Sequence, residues 1–162
     1  MLLYDNSPMA VNYDIKDHVD VSKQFDRKKV RLRSDITHCF ASARFDLKNN
    51  PLCCNIGVPD TWETFLCIID EDGWLTIQSH FGQFLSVRLD YGTESPPVCA
   101  TANNPDTWEK FKIYKSNGKY YIKSKSNGKW LSCRADYESK IILASIDKDN
   151  LNSWEEFDIW IA

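Results

Sequence analysis

The sequence predicts an all-β domain built from three copies of one four-stranded unit, and three observations point there. Trp62, Trp108 and Trp154 recur at an interval of 46 residues, inside the phrases PDTWETFLCI, PDTWEKFKIY and LNSWEEFDIW. Phe65, Phe111 and Phe157 keep the same interval, and two further phrases align upstream: FASAR, FLSVR and WLSCR at 40–44, 84–88 and 130–134, and RLRS, TIQS and YIKS at 31–34, 76–79 and 121–124. The short segments alternate apolar and polar residues, the period of a strand with one buried face. Three motifs recurring in fixed order over 29–162 mark an internal repeat.

Within a unit, the first strand turns Val30, Leu32 and Ser34 to one face, with Leu75 and Ile77, then Tyr120 and Ile122, as counterparts. The second strand holds the aromatic-x-Ser-x-Arg phrase, the third holds Leu52, Val98 or Leu143, and the fourth begins at the repeated phenylalanine. Ahead of the fourth strand, Asp60, Asp106 or Asn152 stands three residues before Glu63, Glu109 or Glu155. That is capping-box spacing, and it predicts one helical turn. Asn-Gly pairs at 117–118 and 127–128 suit tight hairpin turns with positive φ. Propeller blades also have four strands, but a propeller needs at least about four of them. Three such units closing on a pseudo-threefold axis make a β-trefoil of ~46-residue repeats over 29–162. Residues 1–28 form an N-terminal extension with scattered apolar residues (Tyr13, Ile15, Val19, Val21, Phe25), either flexible or laid over the barrel.

The chain has 162 residues, 13% of them aromatic, and a net charge of −3. It can bury a core, and no whole-molecule attraction to nucleic acid follows from its charge. The first residues lack a basic region followed by an apolar stretch, and no run approaches the ~18 apolar residues of a membrane span. A soluble, cytoplasmic protein is expected. On the repeat, Cys67 takes the place of Ile113 and Ile159, and Cys133 that of Val87 and Ala43. Cys53 and Cys99 align with Ser145, and Cys54 with Ala100. Six cysteines permit a disulfide reading. Their small or apolar counterparts favour reduced thiols. Cys53-Cys54 has no second pair at zinc spacing, so neither metal nor other cofactor is expected.

The phrases SHFGQFLSVR (79–88) and SKSNGKWLSCR (124–134), with the closing Trp-Glu-x-Phe, resemble the fascin-like actin-crosslinking trefoils, including the hisactophilin type. The resemblance implies a β-trefoil that binds actin filaments in the cytoskeleton. Fascins carry four trefoils in tandem and this chain has one. The histidine-rich pattern of hisactophilins is absent, since only His18, His38 and His80 occur. The Gln-x-Trp phrase of ricin-type lectin trefoils is missing at the equivalent positions.

A residue present in all three units is scaffold before it is catalyst, which removes the repeated Trp, Glu, Ser and Arg as catalytic candidates. His38 and Cys39 are strand neighbours and point to opposite faces. No Gly-rich phosphate loop or metal-helix motif occurs. A non-enzymatic binding module is expected. Residues 107–134 contain eight basic residues and one acid, Glu109. Alternation places Lys119, Tyr121, Lys123 and Lys125 outward in unit three, Lys29, Arg31 and Arg33 in unit one, and Trp74, Thr76 and Gln78 in unit two. With Lys129, these basic faces form a candidate surface for an acidic filament or an anionic lipid headgroup, or they are solvated lysines that keep sheet edges soluble. Nucleic acid is disfavoured by the sparse aromatic interleaving. Trp74 either packs under the extension or serves as an exposed sugar platform, the feature of the alternative, carbohydrate-binding reading.

Overall fold

The structure is a computed structural model that describes residues 13–14, 18–148 and 150–162. The expectations for residues 1–12 and 15–17 lie outside the described residues. Two short strands come first, β1 (Tyr13–Asp14) and β2 (Val19–Asp20). Unit one follows with β3 (Lys28–Ser34), β4 (Phe40–Ala43), β5 (Leu52–Ile56) and β6 (Phe65–Ile69). Unit two has β7 (Leu75–Gln78), β8 (Phe84–Val87), β9 (Val98–Ala102) and β10 (Phe111–Ser116). Unit three has β11 (Lys119–Ser124), β12 (Trp130–Cys133), β13 (Ile142–Ile146), the short β14 (Asn150–Leu151) and β15 (Phe157–Ile161).

The first and fourth strands of the units close a six-stranded barrel in the order β3, β6, β7, β10, β11, β15 and back to β3. The middle strands form three hairpins, β4–β5, β8–β9 and β12–β13. These hairpins meet about the axis through three equivalent backbone bonds, Cys54 N–H to Lys140, Ala100 N–H to Asn50 and Ala144 N–H to Pro96. This is the predicted β-trefoil.

Period-two alternation explains the core. Phe65, Phe111 and Phe157 are fully buried, with Val30 and Leu75, then Leu32, Ile77 and Ile122, around them. Burying side chains of this size stabilises by about 1.5–3 kcal/mol each. Residues 19–25 of the extension belong to the same core: β2 pairs with β10, and the turn Ser22–Phe25 seats buried Val21 and Phe25 against it. The packed body therefore starts ahead of residue 29.

The repeated polar residues form one latch used three times. Ser42, Ser86 and Ser132 donate from the second strand to Glu63, Glu109 and Glu155 at 2.5, 2.6 and 2.7 Å. The other oxygen of each glutamate accepts the backbone N–H of Asp60, Asp106 or Asn152. The expected capping boxes are present over Thr61–Glu63 and Thr107–Glu109 as single 3-10 turns. The repeated arginines grip Asp46, Asp90 and Asp136 two residues on. Arg88 and Arg134 also lie over Trp108 and Trp154, whereas Trp62 packs edge-on against Phe45. The three tryptophans thus share a position, and among the described residues two of them carry a cation.

Three sequence readings are corrected. In unit three the counterpart of Leu52 and Val98 is Ile142 and not Leu143, so Cys53 and Cys99 match Leu143 and not Ser145, and Cys54 matches Ala100 and Ala144. The constant tryptophan interval hides an offset: β12 and β13 are joined by a shorter link than β8 and β9, and the segment after β13 is correspondingly longer. Tyr121 is fully buried, not outward. It does point away from the barrel, but Ile146 at the end of β13 and Leu151 of β14 pack over it with Trp130, and its hydroxyl donates to Glu156 at 2.7 Å. Thr76 is buried too.

Asn117 and Gly118 both have positive φ in a two-residue hairpin turn, as expected, while at 127–128 only Gly128 does. All six cysteines are free thiols. Burial pushes Cys67 and Cys99 up to about 12 and Cys53 up to about 11. No helix among the described residues is long and apolar enough to cross a membrane.

Candidate functional site

The barrel wall presents three equivalent grooves, one where each fourth strand runs between the first strand of its own unit and that of the next unit. Register defines four positions in each. In the first groove Lys29 lies opposite Leu66 and Leu66 opposite Gln78, with His80 just beyond. In the second, Trp74, Lys112, Lys123 and Lys125 take these places. In the third, Lys119, Asp158, Arg33 and Asp35 take them. All lie on, or one or two residues beyond the ends of, strands whose alternate side chains fill the core.

The chain fills two of these grooves itself. In the second, the Trp74 ring is half-buried and carries two cations, Lys112 Nζ at 4.7 Å and Lys125 Nζ at 5.3 Å from its centroid. Lys112 also reaches Asp20 of the extension, and Lys110 bonds Asp70 at 2.8 Å nearby. Burial tends to raise Asp70, but Lys110 and two backbone N–H donors outweigh it and hold this carboxyl below its usual 3.8. In the third groove Lys119 Nζ donates to Asp35 at 2.7 Å and Asp158 at 3.3 Å, and Arg33 adds a contact to Asp158 at 3.8 Å. The hydrogen bond to Asp35 raises Lys119 above its ordinary 10.5.

The first groove is left open. It is a cleft of about 380 Å³ with Leu66 at its base. Its rim is polar: Lys29 and Arg31 from β3, Asp60, Thr61 and Thr64 from the turn before β6, and Gln78, Ser79 and His80 from the end of β7. Arg31 Nε donates to Thr64 Oγ1 at 3.2 Å, which holds the guanidinium across the cleft, and the Asp60 side chain caps its own turn. Beside the rim, Phe81 is 58% exposed, braced edge-on by Phe45 and His80. On the other side of β3, Trp160 lies opposite Arg31 and is 51% exposed, braced by Phe40. An apolar floor, convergent donors and acceptors, and two exposed rings suit a polyhydroxylated ligand with apolar ring faces.

A wider cleft of about 490 Å³ opens between the 93–97 and 134–143 segments. Its arginine, Arg134, is already bound by Asp136.

Of the residues that alternation turns outward, Lys29, Arg31 and Gln78 lie in the open cleft. Lys119 and Arg33 are committed to the third groove and Tyr121 is buried. Lys123 sits over Trp130 and Lys125 over Trp74, while Lys129 is half-buried. The Trp74 ring is not a bare platform, since two lysines stand over it. Thr64, Phe81 and Trp160 carry no signal in the sequence, and Asp60 is legible there only as the cap of its turn. No group of three or more His, Cys, Asp or Glu able to hold a metal occurs among the described residues.

No protein-family model matches this chain, and no curated protein matches it either. Solved structures do. A designed threefold-symmetric protein, ThreeFoil, superposes with a TM-score of 0.69 at 10% identity, over 83% of this chain and 98% of its own. The BEL β-trefoil superposes with a TM-score of 0.69 at 15% identity, over 85% and 94%. A Polyporus squamosus lectin, solved with the epitope Neu5Aca2-6Galb1-4GlcNAc, superposes with a TM-score of 0.69 at 12% identity. The match covers 84% of this chain and 49% of that lectin. At these identities the likeness shows the fold alone.

Proposed function

We propose that this protein is a carbohydrate-binding β-trefoil that acts by binding, without catalysis, through the open groove between units one and two. The carrying observation is the asymmetry among the three grooves: two are closed by the chain's own side chains, and one keeps a polar-rimmed cleft over Leu66. Sugars are recognised by hydroxyl hydrogen bonds to such polar side chains and by packing of their C–H faces on aromatic rings, here Phe81 and Trp160. The lectin among the structural neighbours, solved with a glycan, supports the same reading. A glycan array tests it, with wild type beside the double substitution Arg31→Ala, His80→Ala. Wild type is expected to give a defined set of positives that the variant loses by about tenfold or more, the loss of one to two good hydrogen bonds. An empty array, or an unchanged variant, would contradict it.

The fascin-like reading, binding to actin filaments, keeps one specific support. Lys123, Lys125 and Lys129 have no carboxylate against them among the described residues, although Lys119 does. Co-sedimentation with filaments at two ionic strengths tests it. Salt-sensitive pelleting lost in Lys123→Glu, Lys125→Glu is the expected result, and absence of pelleting by wild type removes the reading.

A further inference from the structure

We propose that the ligand of the open groove is an acidic saccharide, whose carboxylate or sulfate is held by Lys29 and Arg31. This rests on the carbohydrate-binding reading above and names the class of sugar. The chain's own third groove supplies the template. There the first position is also a lysine, Lys119, and its ammonium is satisfied by two carboxylates at the second and fourth positions, Asp158 and Asp35. Lys29 stands at the same place in the first groove, but its two counterparts are Leu66 and His80. The lysine is retained and both of its anions are gone.

Among the described residues neither Lys29 nor Arg31 has a carboxylate partner, and the rim acid, Asp60, is engaged in capping its turn. Arg31 donates its Nε–H to Thr64, which leaves its two terminal nitrogens for a ligand. A planar guanidinium beside an ammonium is the pairing that binds a carboxylate or sulfate by charge-assisted hydrogen bonds. Leu66 beneath would take the apolar face of the sugar ring. The second groove shows the contrasting solution, in which a tryptophan replaces the lysine and attracts cations instead.

Calorimetric titration of the full chain with a 6-sulfated galactose disaccharide, and with the same disaccharide lacking sulfate, tests the proposal. The sulfated form is expected to bind about tenfold or more tightly, with a preference that shrinks as salt is raised. The decisive variant is Leu66→Asp with His80→Asp, which rebuilds the third groove's network around Lys29. It should fold with an unchanged or higher Tm and lose the sulfated ligand. Lys29→Ala with Arg31→Ala, two outward substitutions, should abolish the preference without the new carboxylates. Equal binding of both disaccharides by wild type, with both lost in Gln78→Trp, would overturn the acidic class while leaving the groove as the site. Binding of neither disaccharide in any state would overturn the acidic class, and an empty array beside it would take the carbohydrate reading as well.

Discussion

Ser86 and Glu109 show why a triplicated residue is scaffold. The serine donates to a buried carboxylate that also ties the N–H of Asp106, so one side chain fastens the second strand to the turn before the fourth. Ser86→Ala leaves that carboxylate short of a donor and should cost about 1–3 kcal/mol, read as a fall of several degrees in Tm by calorimetry. Repetition alone made this legible: a catalytic serine has no reason to occur three times. Cysteine reactivity follows from burial in the same way. Cys53, Cys67 and Cys99 are buried thiols held protonated, while Cys39 is half-buried. A thiol reagent should count about one fast group in native protein and six in denaturant. Several fast native groups would mean that the caps open readily. Tyr121 marks the limit of alternation as a guide. Period two tells which way a side chain leaves the barrel, and cannot tell that a later segment will lie on top of it.

At the scale of elements, each groove joins strands from two units, so its four positions come from three separate stretches of sequence. Period-two alternation along one strand turns Arg31 outward whichever strands lie beside it. His80, Leu66 and Asp60 became partners only once β6 was known to pair with both β3 and β7. The Lys119 network closes the third groove, and Lys119→Ala should destabilise by roughly 1 kcal/mol at neutral pH. Its folded pKa is raised, so the pair contributes fully below 10.5 and is lost as pH rises through the higher folded value. Asp70 behaves oppositely. Its folded pKa is depressed, so its contribution is present above 3.8 and is lost as pH falls through the lower folded value. Asp70→Asn should therefore flatten the acid limb of stability measured against pH by denaturant titration. A variant as acid-sensitive as wild type would contradict the role given to Lys110.

For the whole molecule, threefold symmetry serves the core and is broken on the wall. The phenylalanine triplet and the serine-glutamate latches repeat nearly unchanged because all three units must close one barrel. The wall positions face no such demand, and they have diverged into a cation-covered tryptophan, an ion-pair network and an open cleft. Fold was legible in the sequence because the core repeats; the site was not, because it lies where the repeat fails. The most direct test is an amide chemical-shift titration of isotope-labelled protein with the sulfated and neutral disaccharides. Saturable shifts confined to Lys29, Arg31, Thr64, Leu66, Gln78 and His80, with silence around Trp74 and Lys119, are the predicted result. Shifts centred on Trp74, or on the hairpin caps, would show that the ligand goes elsewhere and would contradict the open-groove account.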